Sequence, residues 1–271
     1  MSRPTEQSPG IAHGALAALV VALAVFAAVA SAAAAAPAPE LRPDLVQRTP
    51  WNVGVRADGG GFALGFDSAV ENRGDGPLRV EGKRPSGQRD MTADQLVKRT
   101  DGSLARIRGI GTIRYTRSGG HDHWHYLLFD RYELRRASDH RLVRPDRKTG
   151  FCLGDRYDSG RSFARKPPRA VITGSCLRDE PGARAVAMGI SIGYGDDYHA
   201  YLEGQSIDVT GVPAGRYELV HRVNAKARLR ETRYSNNAAS VLVRVRWPNG
   251  SDDRPAADVL KRCPGRARCL L

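Results

Sequence analysis

A chain of 271 residues, 41% hydrophobic and 26% charged, has the length for one medium domain or two small ones and the apolar material for a core. The formal charge of +13 would hold polyanions, and nucleic acid is one candidate, yet no helix-turn-helix pattern, RRM-like motif or aromatic stacking platform stands among the basic residues, so no specific nucleic-acid binding is expected. Anionic cell-wall polymers or lipid head groups are the remaining polyanionic partners, and a plain solvated basic surface is the alternative.

The first ten residues carry one Arg and one Glu, and an uncharged run then extends from Ala15 to Ala36, ending in small residues before Pro37-Ala38-Pro39. This pattern resembles a secretory signal with small-x-small cleavage points at Ala30-Ser31-Ala32 or Ala34-Ala35-Ala36; the run is also long enough for an uncleaved anchor. Either way the rest of the chain is exported, secreted or held at the cell surface. The expected organisation is a leader over 1–36, a β-domain over 37–247 and a basic C-terminal tail with a Cys pair over 248–271. Export favours disulfides. Of the three pairings open to four cysteines, Cys152 with Cys176 and Cys263 with Cys269 is the simplest; reduced, buried thiols are the alternative for the first pair.

Along the chain, Leu41 to Leu45 reads as a short edge strand, and Gly61 to Asn72 as a strand that turns at Arg73 to Pro77 into a second strand from Leu78. Met91 to Lys98 reads as one or two helical turns capped by Thr92. Asp101-Gly102 marks a hairpin, and Ile107 to Tyr115 a strand. From Tyr126 to Val143 the pattern is strand, turn, strand, with His140 near the bend. Residues 154–183, rich in Gly, Arg, Asp and Pro, read as a long irregular loop that the first cysteine pair could pin. Strands over Gln205 to Thr210, Arg216 to Asn224 and Ala239 to Trp247 complete the pattern. Short strands at this spacing, with little helical periodicity, predict an all-β fold: an antiparallel immunoglobulin-like β-sandwich with long irregular loops.

Within it lies Gly119-Gly120-His121-Asp122-His123-Trp124-His125-Tyr126. Side chains at alternate positions of a strand leave the same face, so His121, His123 and His125 converge, while Asp122 and Trp124 face away, Trp124 into the core. Three neutral imidazoles suit copper, zinc, iron or nickel, and with open positions nearby they describe a catalytic site better than a closed structural one. A histidine-rich surface strand is the bland alternative. His140 and His221 read as structural or exposed rather than as ligands.

Two later stretches acquire meaning beside this triplet: Lys148 shortly before Phe151-Cys152-Leu153, and Tyr194-Gly195-Asp196-Asp197-Tyr198-His199. With Leu41-x-Pro43-Asp44-Leu45, Asn72-x-Gly74-x-x-Pro77-Leu78, Ile207-Asp208-Val209-Thr210 and Pro213-x-Gly215-x-Tyr217, the ordered set resembles the lysyl oxidase family, the copper-dependent amine oxidases, in a bacterial form. The resemblance runs from about Leu41 to Trp247, and the His triplet and Phe-Cys-Leu are its specific parts.

It implies copper(II) on His121, His123 and His125, and a lysine tyrosylquinone cofactor formed from Lys148 and Tyr194. The family's chemistry joins a primary amine, such as peptidyl lysine, to the quinone. A base removes the α-proton, hydrolysis frees the aldehyde, and dioxygen reoxidises the cofactor with release of hydrogen peroxide and ammonia. Asp196, Asp197 and His199, which follow the cofactor tyrosine closely, are candidates for the base. Two departures stand out. The chain has only four cysteines, and the longer segment between Tyr194 and Ile207 holds Tyr198 and Tyr201, which compete with Tyr194 for the cofactor role. The rival classes are a secreted, wall-associated copper-binding module without oxidase activity, and a zinc hydrolase, for which no His-Glu-x-x-His motif or evident Glu base is present.

Overall fold

Seventeen strands make up the regular structure of the computed structural model, which describes residues 36–117, 122–146, 148, 150–250 and 253–270. Residues 1–35, which hold nearly all of the leader expected over 1–36, and His121 lie outside the described residues. In chain order the strands are β1 (Glu40–Leu41), β2 (Leu45–Gln47), β3 (Trp51–Asp58), β4 (Gly61–Asn72), β5 (Leu78–Lys83) and β6 (Met91–Arg99). Then come β7 (Leu104–Thr116), β8 (His123–Tyr126), β9 (Asp130–Arg136), β10 (Leu142–Pro145), β11 (Tyr157–Asp158) and β12 (Ala185–Ile190). The last five are β13 (Tyr194–Tyr198), β14 (Ser206–Asp208), β15 (Gly215–Val223), β16 (Ala238–Arg246) and β17 (Ala256–Cys263). Among the described residues there is no α-helix, hence none long and apolar enough to cross a membrane. The fold is all-β, as expected.

Every strand pairing is antiparallel. One sheet runs β12-β5-β6-β7-β8 with β1 on β6, a second β10-β9-β15-β16-β17, and a third β11-β13-β4-β14 with β2 and β3 also on β4. Strand β4 organises the third sheet because it is twelve residues long: its first half pairs with β3 and β14, its second half with β2 and β13. Ten of those twelve residues are buried, so it is covered on both faces.

The helical turns expected at Met91 to Lys98 are instead the strand β6. Met91, Ala93, Gln95 and Val97 are buried at alternate positions while Thr92 and Lys98 are exposed, a period of two rather than 3.6. Strands β5 and β7 supply hydrogen-bond ladders on both sides, which outweighs the local helix signal. The buried Gln95 is satisfied at both ends of its amide: its Nε2 donates to Arg230 O at 2.8 Å, and its Oε1 accepts from Arg230 N at 2.7 Å. The segment after Trp247, read from sequence as a tail, contributes β17, which extends the second sheet beside β16.

The long segment over 154–183 is irregular apart from β11, and it is held in three ways. Cys152 and Cys176 form a disulfide, as Cys263 and Cys269 do at the C-terminal end. The Asp155 carboxylate accepts from Val171 N at 2.9 Å and Ile172 N at 3.0 Å through one oxygen, and from Ser191 N at 2.7 Å through the other. Trp124 N donates to Cys176 O at 3.0 Å, tying the far end of the loop to β8.

Candidate active site

Strand β8 sits beside β7, with His123 opposite Thr116 and His125 opposite Arg114. The two-residue period sends Trp124 to the other face. It is fully buried, packs against Tyr115 at 5.4 Å between ring centroids and donates from Nε1 to Glu180 O at 3.1 Å. His123 and His125 meet on the opposite side, where their Nε2 atoms are 2.8 Å apart; His125 Nδ1 lies 3.2 Å from Thr116 Oγ1. Among the described residues no further histidine, cysteine, aspartate or glutamate completes a metal-sized cluster with them.

The segment carrying Lys148 reaches this strand through a β-bridge between Phe151 and Tyr126, with Tyr126 N donating to Phe151 O at 2.8 Å and Phe151 N to Tyr126 O at 3.1 Å. Gly150 makes the approach feasible: its φ of 134° is open to few other residues, and a Cβ there would stand 2.9 Å from His125 Cβ. The Lys148 Nζ then lies 4.6 Å from the ring centroid of Tyr198 and 5.3 Å from that of Phe151, and it donates to Glu203 O at 3.3 Å. Burial pushes its amine down to about 8, against the opposing pull of the nearby carboxylates, Asp196 first among them.

Tyr198 closes the arrangement. Its hydroxyl donates to Asp196 Oδ2 at 2.8 Å and lies 3.2 Å from Cys152 O, and its ring meets Phe151 edge-on at 4.9 Å. Burial pushes the phenol well above its ordinary range, with the charge of Asp196 adding to the effect. Asp196 is itself buried, which raises its carboxyl to about 8; the hydrogen bond from Tyr198 and Arg156, at 3.6 Å, act in the other direction. A cavity of about 540 Å³ brings His123, His125, Lys148, Asp196, Asp197 and Tyr198 to one space. A larger groove of about 990 Å³ over β5 and β12 carries none of these residues.

Tyr194 is not in that space. Its hydroxyl donates to Pro167 O at 3.3 Å, and Lys166, not Lys148, lies over its ring, at 5.4 Å. The reason is distance along β13: four residues at about 3.3 Å each put Tyr194 roughly 13 Å from Tyr198 on the same strand face. Asp197 lines the cavity, whereas His199 stands beyond its wall, with Nδ1 3.4 Å from Asp67 Oδ2 and Nε2 3.6 Å from Asp197 Oδ2. His221 is wholly buried between Phe66 and Tyr132, and His140 pairs with the buried Glu218; neither lines the cavity. Sequence reasoning named Tyr201, which lines the cavity, but missed Arg156, Gly150 and the Leu202–Gly204 stretch, whose roles are to hold or flank other groups and leave no local signature.

The fold and the cavity define an all-β protein in which two histidines of a sheet-edge strand face a half-buried lysine and a tyrosine. The family model for lysyl oxidase matches residues 112–248, about half of the chain, and the chain belongs to the lysyl oxidase family. Over 128 residues, 46% of this chain, it is 33% identical to the protein-lysine 6-oxidases of Gallus gallus and Sus scrofa, and 31% identical to that of Homo sapiens. These matches cover 26%, 44% and 26% of the respective relatives, less than half of each.

Proposed function

We propose that this protein is an exported, copper-dependent oxidase of primary amines whose lysine tyrosylquinone forms between Lys148 and Tyr198. The observation that carries this reading is the 4.6 Å approach of the Lys148 amine to the Tyr198 ring in the cavity that His123 and His125 line. His121, His123 and His125 would hold the copper. The described pair fits such a role in its donor chemistry: the two Nε2 atoms converge to 2.8 Å on the cavity side of β8, and neutral imidazole suits copper. When bound, copper with dioxygen supplies the oxidising power that converts the tyrosine ring to a quinone, and the quinone supplies an electrophilic carbonyl for amines.

The chain's own groups prepare that chemistry. Burial leaves Lys148 a far larger nucleophilic free-amine fraction near neutral pH than an ordinary lysine has. Asp196 accepts the Tyr198 proton through an existing hydrogen bond, and Arg156 holds Asp196 in place. A base that takes a proton from substrate works best with a pKa near the working pH; Asp196 meets that condition, and Asp197 is the second carboxylate on the cavity wall.

The names of the relatives point to protein-bound lysine as the amine, with dioxygen as co-substrate. The apolar run before Pro37 and the two disulfides support export, and the +13 charge supports association with anionic wall polymers. Phe66 of β4, packed on Tyr132 of β9 at 5.0 Å and on His221 of β15 at 4.9 Å, supports the finer architecture of an immunoglobulin-like sandwich.

The test is to load wild-type, Tyr198→Phe and Tyr194→Phe chains with copper in air and read bound metal, intact mass, quinone absorbance and peroxide release with an alkylamine. Tyr198→Phe should bind copper yet lose absorbance and peroxide, while Tyr194→Phe keeps both. Copper bound by the wild type without any Lys–Tyr cross-link would leave a copper-binding module in place of an oxidase, and a cross-link to Tyr194 would overturn the pairing.

A further inference from the structure

The turn after β13 ends the cavity wall with an aromatic side chain that no core claims. Tyr201 is 78% exposed yet lines the cavity beside Leu202 and Glu203, and its hydroxyl makes no hydrogen bond among the described residues. Its ring is held in one orientation by stacking on His199, with centroids 5.4 Å apart and planes 18° from parallel. His199 is in turn held by Asp67, whose other oxygen accepts Ala200 N at 2.6 Å, and Arg56 donates to Ala200 O. Leu202 N donates to His199 O at 2.9 Å and Gln205 N to Leu202 O at 3.1 Å, so the tip carrying Tyr201 is a pinned turn.

Leaving most of an aromatic ring in water forgoes the favourable burial of its apolar surface. A preordered ring with a bare face beside a pocket recovers that on binding, and ordering it costs little further entropy. Beyond the ring, the cavity wall carries the carboxylates Asp196, Asp197 and Glu203, which can pair with an ammonium group, beside the cations Lys148, Arg156 and Arg178.

We infer that Tyr201 is the specificity-determining residue of this site: a stacking platform for the chain that bears the reacting amine, favouring lysyl peptides with an aromatic neighbour. This rests on the oxidase reading for the fate of the amine but not for the platform itself. The amine enters past Tyr201 toward Lys148 and Tyr198, while the flanking aromatic side chain lies against the free ring face.

Two blocked peptides test it, one with Phe and one with Gly beside the lysine, together with versions carrying norleucine in place of lysine. Calorimetry on the copper-loaded chain should find the Phe–norleucine peptide bound about threefold to tenfold more weakly by Tyr201→Ala than by wild type, the worth of one aromatic stack. Tyr201→Phe should bind it like wild type. In turnover, the wild-type preference for the Phe peptide should shrink toward unity in Tyr201→Ala, through KM rather than kcat. Equal binding by wild type and Tyr201→Ala, or no wild-type preference for Phe over Gly, overturns the inference. If the wild type releases no peroxide while the binding contrast stands, the oxidase reading fails and the platform survives.

Discussion

On β13 the side chains of Tyr194, Asp196 and Tyr198 leave one strand face, so local geometry treats both tyrosines alike, and only their positions along the strand separate them. Tyr198 stands at the end that meets Lys148, and Asp196 between the two takes the Tyr198 hydroxyl. The state of Lys148 yields a prediction at this scale. The amine adds to a carbonyl only when unprotonated, and burial has moved its pKa from the ordinary 10.5 to about 8. Lowering the pKa enlarges the unprotonated fraction at every pH below the ordinary value. The rate at which quinone absorbance grows after copper addition should therefore rise with pH through about 8 and then level off. An amine in water would go on gaining to above pH 10; a rate still climbing there would mean that Lys148 is solvated during the reaction.

Among the elements, the irregular segment over 154–183 folds back so that Ser175 and Arg178 join the cavity wall. The Cys152–Cys176 disulfide links this wall to the Lys148 segment across a sequence separation of 24. Loop-closure entropy for such a cross-link is worth about 3 kcal/mol. The Cys152→Ser, Cys176→Ser double variant should lose about that much stability in urea unfolding, and should form the cofactor more slowly because one wall of the cavity is freed. A loss under about 1 kcal/mol would mean that the Asp155 hydrogen bonds hold the loop by themselves.

Across the whole molecule, the aromatic core that joins β4, β9 and β15 encloses His221, whose pKa burial lowers to about 3. An unfolded histidine titrates near 6.5, so between about 6.5 and 3 the unfolded chain holds a proton that the folded chain does not. Its contribution to stability is whole above 6.5 and falls with pH at roughly 1.4 kcal/mol per unit. Asp130 acts in the opposite sense: burial raises it to about 8, so it favours the folded state as pH falls from 8 toward 4. Comparing wild type with His221→Gln isolates the histidine. Urea unfolding at several pH values below 6.5 should show a shallower acid loss in the variant, and parallel curves would mean that water reaches His221.

Much of this architecture is legible in the amino-acid sequence by itself. The period-two strands at Gly61 to Asn72 and Arg216 to Asn224, the Asp101-Gly102 turn, the inward Trp124 and the face shared by His123 and His125 are consequences of local periodicity and turn chemistry. They belong to neighbouring residues and survive without tertiary context. What the sequence could not determine was every choice between locally equal candidates. Met91 to Lys98 became a strand because β5 and β7 flank it. Tyr198 rather than Tyr194 met Lys148, and Tyr201 reached the cavity rim. Those outcomes depend on which strand ends converge in space, a property of long-range packing that no window of the chain contains.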